Sequence, residues 1–310
     1  MLANVLILFA GLAVLVAGAE FLVRGSVGLA QKFKISPLVI GMTIVAFGTS
    51  APELIVSVKA ALQGSSDIAI GNVVGSNIAN LALILGITAL IFPIAIDKQS
   101  INVDWPMMVF ASGLFYFFML DGSIERWEGL ILFLALISFT TYLIFDSKKK
   151  NKNKEEDTLV KKLHITKALF FVVIGLVGLY FGAEWFVLSS VNIAELLGMS
   201  QHIIGVTVVA FGTSVPELVT SAVAAFRKQD DISIGNLIGS NIFNILGVIG
   251  LSGIIKPMSV SDIVLNFDIF WVIGVALALF PLMRFGRKIT RTKGIFLLSL
   301  YVVYVVLLLI

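Results

Sequence analysis

The sequence predicts an all-α integral membrane protein of ten transmembrane helices, arranged as two five-helix repeats of inverted topology. Three observations predict it: a composition too apolar for a water-soluble fold, ten apolar segments near membrane-spanning length, and long stretches that recur at a fixed offset.

Hydrophobic residues make up 58% of the 310 residues and charged residues only 13%, about half the charge a soluble domain carries. A globule facing water could not cover that much apolar surface. Cysteine is absent, which excludes disulfides, thiol catalysis and thiolate metal sites. The two histidines, His164 and His202, are too few and too far apart for a zinc site. No resident cofactor, nucleic-acid partner or obligate protein partner is indicated.

The apolar segments fall near 3–23, 37–61, 69–92, 104–120, 128–145, 167–188, 202–226, 232–255, 266–283 and 294–310. The first lacks the basic start of a signal peptide and is longer than a signal core, so it is expected to be a retained helix. Charge placement supports the set. With the N-terminus outside, about 19 of the 22 Lys and Arg residues fall in cytoplasmic loops, leaving Lys59, Arg126 and Lys256 outside. Both termini are then extracytoplasmic, in a multi-pass protein of the cell membrane. The polar stretch Asp146–Lys162 reads as the core of a cytoplasmic linker, 146–166, which separates a first half, 1–145, from a second, 167–310.

Shifting the chain by 164 residues aligns three stretches without a gap. Gly18-Ala19-Glu20 matches Gly182-Ala183-Glu184; GMTIVAFGTSAPELIVSVKAAL (41–62) matches GVTVVAFGTSVPELVTSAVAAF (205–226); IGNVVGSNIANLALILG (70–86) matches IGNLIGSNIFNILGVIG (234–250). Lipid-facing positions need only be apolar, so composition does not account for such identity. Five spans per half is an odd number, so the second copy enters the membrane from the opposite side. Inverted repeats of this kind build secondary transporters, with the site at their interface.

An ionisable residue inside a span costs at least a few kcal/mol and is functional by default. Glu53 and Glu217 lie in the second and seventh spans. Helical spacing puts Ala46, Thr49, Ser50 and Glu53 on one stripe, and Ala210, Thr213, Ser214 and Glu217 on the other. Pro52 and Pro216, read as lying inside helices, would free the carbonyls of Gly48 and Gly212. The second repeated stretch adds Ser76 with Asn80 and Ser240 with Asn244, each pair one turn apart, beside Asn72, Asn77, Asn236 and Asn241. All are hard oxygen donors, suited to Ca²⁺ or Na⁺. Two carboxylates neutralise one Ca²⁺ and equally suit two or more Na⁺, and mutually exclusive occupancy is the basis of exchange. Glu20 and Glu184, near span ends, read as structural or gating residues; Thr43 and Thr207 read as packing residues.

GTSxPE followed by GNxxGSN, twice, resembles the sodium/calcium exchanger family of the cation/Ca²⁺ antiporter superfamily, over nearly the whole chain. Segments 41–86 and 205–250 are similar to its alpha-1 and alpha-2 repeats, and the short linker is similar to that of prokaryotic members. The resemblance implies a transporter rather than an enzyme. It implies electrogenic exchange of Na⁺ for Ca²⁺ by alternating access, with helices one and six sliding across a core of spans two, three, seven and eight. It implies ligands from Thr49, Ser50, Glu53, Ser76, Asn80, Thr213, Ser214, Glu217, Ser240 and Asn244, and from the carbonyls of Ala46 and Ala210. Some archaeal and potassium-dependent members carry aspartate where this chain has Asn244, so K⁺ cotransport is not expected. A Ca²⁺/H⁺ or other cation/H⁺ antiporter of the same fold is the alternative.

Overall fold

The computed structural model describes residues 1–151, 163–199 and 210–309. The helices, in chain order, are α1 (Leu2–Phe33), α2 (Pro37–Thr49), α3 (Ala51–Gln63), α4 (Ser66–Ile91), α5 (100–119) and α6 (Arg126–Asn151) in the first half. The second half has α7 (Ile165–Leu196), α8 (Ala210–Thr213), α9 (Val215–Phe226), α10 (Asp230–Ile255), α11 (Val264–Arg284) and α12 (Arg291–Leu309). Among the described residues seven helices are long and apolar enough to cross a membrane, or eight if the bent pair α2 and α3 is one span. The protein is thus an all-helical membrane protein. Residues 152–162 of the linker and 200–209, which include the start of the expected seventh span, lie outside the described residues, His202 and Thr207 among them.

Local chemistry sets the helix ends. Ser36 caps α2, its Oγ accepting from the Val39 N–H at 3.3 Å, and Pro37 follows in the first turn, where a missing N–H leaves nothing unpaired. Gly64 closes α3 at φ 82°, a left-handed cap that glycine adopts without a Cβ clash. α1 and α7 each run 32 residues, about 48 Å at 1.5 Å per residue, against a hydrocarbon layer of about 30 Å. Both are longer than the 3–23 and 167–188 read from hydropathy, because Arg24, Lys32 and the polar 189–196 stretch continue the helix beyond the apolar run.

Two short antiparallel ladders tie the halves together. β1 (Ile94–Ala95) pairs with β4 (Lys288–Ile289), and β2 (Ser123–Ile124) pairs with β3 (Met258–Ser259). The offset of 164 carries β1 onto β3, and an offset of 165 carries β2 onto β4, so the two ladders are equivalent under exchange of the halves.

The apolar interior has two parts. The larger draws on α2 to α6 and α9 to α12, centred on residues such as Ile78, Leu85, Phe115, Ile245 and Leu279. The smaller joins α1 and α7 to one face of α2 and α9, through Leu15, Leu22, Val45, Leu179, Val215 and Val219. α1 and α7 run antiparallel along a glycine seam. A methyl on Gly18 would lie 2.8 Å from the Leu179 nitrogen, and one on Gly175 would lie 2.6 Å from that of Leu22. Gly11, Gly25 and Gly182 make equally close approaches, as small residues do where membrane helices pack backbone to backbone.

Candidate ion-binding site

The two repeated hexapeptides form helix breaks. At Ser50 the backbone leaves the helix (φ −86°, ψ 8°), and at Ser214 it does the same (φ −91°, ψ 2°). α2 and α3 are bent by 48° across the first break. The expectation of a proline inside a continuous helix is therefore corrected. The break falls two residues earlier, and Pro52 and Pro216 sit in the first turn of α3 and α9. The physical reason is the ring's clash with the carbonyl four residues back, which is relieved when a new helix starts before the proline. Glu53 and Glu217 then occupy those same first turns. The positive ends of the two helix dipoles favour the ionised carboxylates, and it is broken helices of this kind that line the sites of many membrane transporters.

Both glutamates are fully buried, as are Thr49, Ser50 and Ser214; Asn80 and Asn244 are nearly so. The motifs meet directly: Ser50 Oγ donates to Glu217 Oε1 at 3.0 Å. Thr49 Oγ1 donates to Asn236 Oδ1 at 3.0 Å and lies 3.5 Å from Ser240 Oγ. Ser76 is buried beside Glu53, and Ser240 beside Glu217. The Ala46 carbonyl accepts from the Ser50 N–H at 3.0 Å and from Thr49 Oγ1 at 3.4 Å. Thr213 is half-buried in α8, one turn before Glu217. Ala210 opens α8, and its side chain, like residues 205–209 of the second motif, lies outside the described residues.

A frame of amides surrounds this centre, and its asparagine–serine bond repeats across the halves. Asn72 Nδ2 donates to Ser57 Oγ at 3.0 Å, while Asn236 Nδ2 donates to Ser221 Oγ at 3.0 Å. Ser57 Oγ in turn donates to the Ala69 carbonyl at 3.1 Å, and Ser233 Oγ donates to the Ser221 carbonyl at 2.9 Å. Asn72 also donates to the Glu53 carbonyl at 3.2 Å. Across the interface of α4 and α10, Asn77 Nδ2 donates to the Asn241 carbonyl at 3.2 Å, and Asn244 Nδ2 donates to Asn77 Oδ1 at 3.1 Å. The wide turns Ala79–Ile84 and Asn244–Ile249 sit at Asn80 and Asn244; such one-turn bulges in α-helices are frequent at functional sites.

Against this satisfied frame, several buried oxygens have no protein partner: both carboxylate oxygens of Glu53, Glu217 Oε2, Ser214 Oγ, Asn80 Oδ1 and Asn244 Oδ1. A buried polar oxygen left unpaired costs about 1–3 kcal/mol, and a charged one more. A cation coordinated by oxygens of this set would offset that cost. Among the described residues no three His, Cys, Asp or Glu side chains gather to hold a metal. Two buried carboxylates with neutral oxygens near them are donors of the kind a hard cation takes.

Of the oxygen donors expected from the sequence, the fold brings Thr49, Ser50, Ser76, Ser240, Glu53 and Glu217 into contact, while Asn244 bonds to Asn77. Sequence reasoning did not assign the frame role of Ser57, Ser221 and Asn77, whose signal was their recurrence at the 164-residue offset. It also left Glu20 without a partner, which the fold supplies as Arg227.

A buried oxygen cage with two carboxylates, set where two broken helices meet, defines a membrane cation transporter. The chain belongs to the sodium/calcium exchanger protein family, whose profile matches residues 3–145 and 167–310. It is 35% identical over 343 residues to the sodium/calcium exchanger MaX1 of Methanosarcina acetivorans, covering 98% of each chain. It is 32% identical over 306 residues to the inner membrane protein YrbG of Escherichia coli, covering 95% of this chain and 93% of that one. A solved structure of the sodium-calcium exchanger NCX_Mj superposes with a TM-score of 0.85 at 32% identity, over 98% of both chains.

Proposed function

We propose that this chain is a secondary antiporter that exchanges Na⁺ for Ca²⁺ across the cell membrane by alternating access. The observation that carries the reading is the Ser50–Glu217 hydrogen bond. It closes the two motifs into one centre whose opposite carboxylate, Glu53, has no protein partner. Ala46, Thr49, Ser50, Glu53, Ser76, Asn80, Ala210, Thr213, Ser214, Glu217, Ser240 and Asn244 are the proposed ligands. The two carboxylates balance one Ca²⁺ or two Na⁺; a third Na⁺ held by the neutral oxygens would make exchange electrogenic. The names of MaX1 and NCX_Mj support the Na⁺/Ca²⁺ pairing over the Ca²⁺/H⁺ alternative.

The finer architecture belongs to the same proposal. Ten spans arise when α2 with α3, and α8 with α9, each count as one crossing and α5 as another. Inverted topology is supported by the equivalent ladders and by the matched bonds of Asn72 and Asn236. The halves are 1–145 and 167–310, joined by a cytoplasmic linker at 146–166, with both termini outside. The glycine-seamed pair of α1 and α7 is the body that slides over the rest. Asn244, an amide rather than a carboxylate, supports transport without K⁺. Matches to sodium/potassium/calcium exchanger 3 of Homo sapiens reach only 51% of this chain.

The test is ion-gradient-driven ⁴⁵Ca²⁺ uptake into proteoliposomes. Uptake driven by an outward Na⁺ gradient, unchanged when K⁺ is removed, is expected. Uptake driven by a pH gradient alone would overturn the Na⁺ reading, and loss on K⁺ removal would overturn K⁺ independence.

A further inference from the structure

We propose that Glu20 and Arg227 form a latch that holds α1 against the core on the cytoplasmic side and opposes opening there. The inference rests on the reading that α1 and α7 slide during alternating access.

The geometry is bidentate. Arg227 Nη2 lies 2.7 Å from Glu20 Oε1, and Arg227 Nε donates to Glu20 Oε2 at 2.9 Å. Paired guanidinium–carboxylate contacts of this kind are among the stronger ion pairs and fix orientation. The two residues are 207 positions apart and sit on different bodies, α1 and the end of α9. Arg227 is held ready to make the contact. Its N–H closes α9 on the Val223 carbonyl at 2.9 Å, and its guanidinium lies 5.8 Å from the centre of the Phe226 ring. At a helix C-terminus its charge is also favourable. The pair closes one end of a groove between α1 and α9 lined by Leu12, Val16 and Val223. Arg24 also pairs with Glu20, but from the same helix, so it cannot tie α1 to anything.

The other half lacks this device. The offset of 164 pairs Glu20 with Glu184 and Arg227 with Gln63, which carries no charge. Glu184 is exposed and, among the described residues, makes no ion pair. A repeat whose Asn72–Ser57 and Asn236–Ser221 bonds do match is therefore unmatched at this pair. The two faces of the exchanger then open with unequal ease, the cytoplasmic one less readily.

The cysteine-free chain allows a clean test. Ala224, a fully buried residue of α9 in the apolar cluster it shares with α1, is replaced by a single cysteine, and its modification by a membrane-impermeant thiol reagent is timed from the cytoplasmic side of oriented proteoliposomes. Glu20→Gln and Arg227→Gln are each expected to raise that rate about two- to fivefold, the range an ion pair of this exposure provides. Arg227→Lys, which keeps the charge but loses the fork, falls between. Arg24→Gln produces no rise. Unchanged rates in Glu20→Gln and Arg227→Gln, or an equal rise in Arg24→Gln, would overturn the latch. Na⁺-driven ⁴⁵Ca²⁺ uptake in the same vesicles separates the two readings. Its absence from the otherwise unsubstituted reporter sinks the exchanger assignment, while normal uptake with flat rates sinks only the latch.

Discussion

The α1–α7 seam and the ion-binding centre are both buried, yet they are built on opposite rules. Along the seam, glycines at 11, 18, 25, 175 and 182 bring backbone against backbone, leaving no room for another atom. At the centre, side chains hydrogen-bond across the interface of the two halves while six oxygens of Glu53, Glu217, Ser214, Asn80 and Asn244 are left unpaired. The seam gains its stability from contact that cannot be improved. The centre leaves part of its bonding capacity unused, as the proposed cation site requires. A body proposed to move as one piece and a site proposed to fill and empty place different demands on the same apolar background. Where the two regions touch, the contact is glycine on a side-chain tip: Gly48 meets Leu176 of α7, and Gly212 meets Val187. α7 thus lies over both motifs without bonding to either through these glycines, as a sliding partner requires.

The contrast can be broken at each end. Gly18→Leu should have the largest effect. Its side chain has only the Leu179 and Gly175 backbones to meet, and overpacking of this kind costs about 1–3 kcal/mol or more. The expected result is loss of the monodisperse species in size-exclusion chromatography after detergent extraction. Asn236→Ala should be intermediate. It removes the bonds to Thr49 and Ser221 and leaves a buried hydroxyl without its partner, at about 1–3 kcal/mol. A lowered melting temperature, with transport reduced more steeply than stability, would mark it as part of the frame. Gly113→Ala should have the smallest effect and the opposite sign. Gly113 is exposed in α5 and no described atom lies near its added methyl. Helix propensity alone then favours alanine by up to about 1 kcal/mol, seen as a slight rise in melting temperature with unchanged uptake.

Much of this was legible in the sequence because membrane burial makes polar residues conspicuous. Glu53 and Glu217 stand out in apolar runs, and recurrence at one offset marks their partners as a set. The seven-residue spacing of Gly11, Gly18 and Gly25 was visible too, but only the fold shows that Gly175 and Gly182 face them in antiparallel register. The break at Ser50 was misplaced by two residues, because proline's clash can be relieved by kinking a helix or by starting a new one, and packing decides which. The wide turns at Asn80 and Asn244 have no composition signal. Arg227 reads as a topological charge like other cytoplasmic basic residues, and nothing local to it announces Glu20 as its partner.

The central claim is that the two glutamates together form the transport site. It is tested most directly by Na⁺-gradient-driven ⁴⁵Ca²⁺ uptake in proteoliposomes containing wild type, Glu53→Gln or Glu217→Gln. Both variants keep the shape of the side chain and remove one charge from the pair. The account predicts that each folds and inserts normally while uptake falls to the level of empty vesicles. Uptake near the wild-type rate in either variant would contradict it.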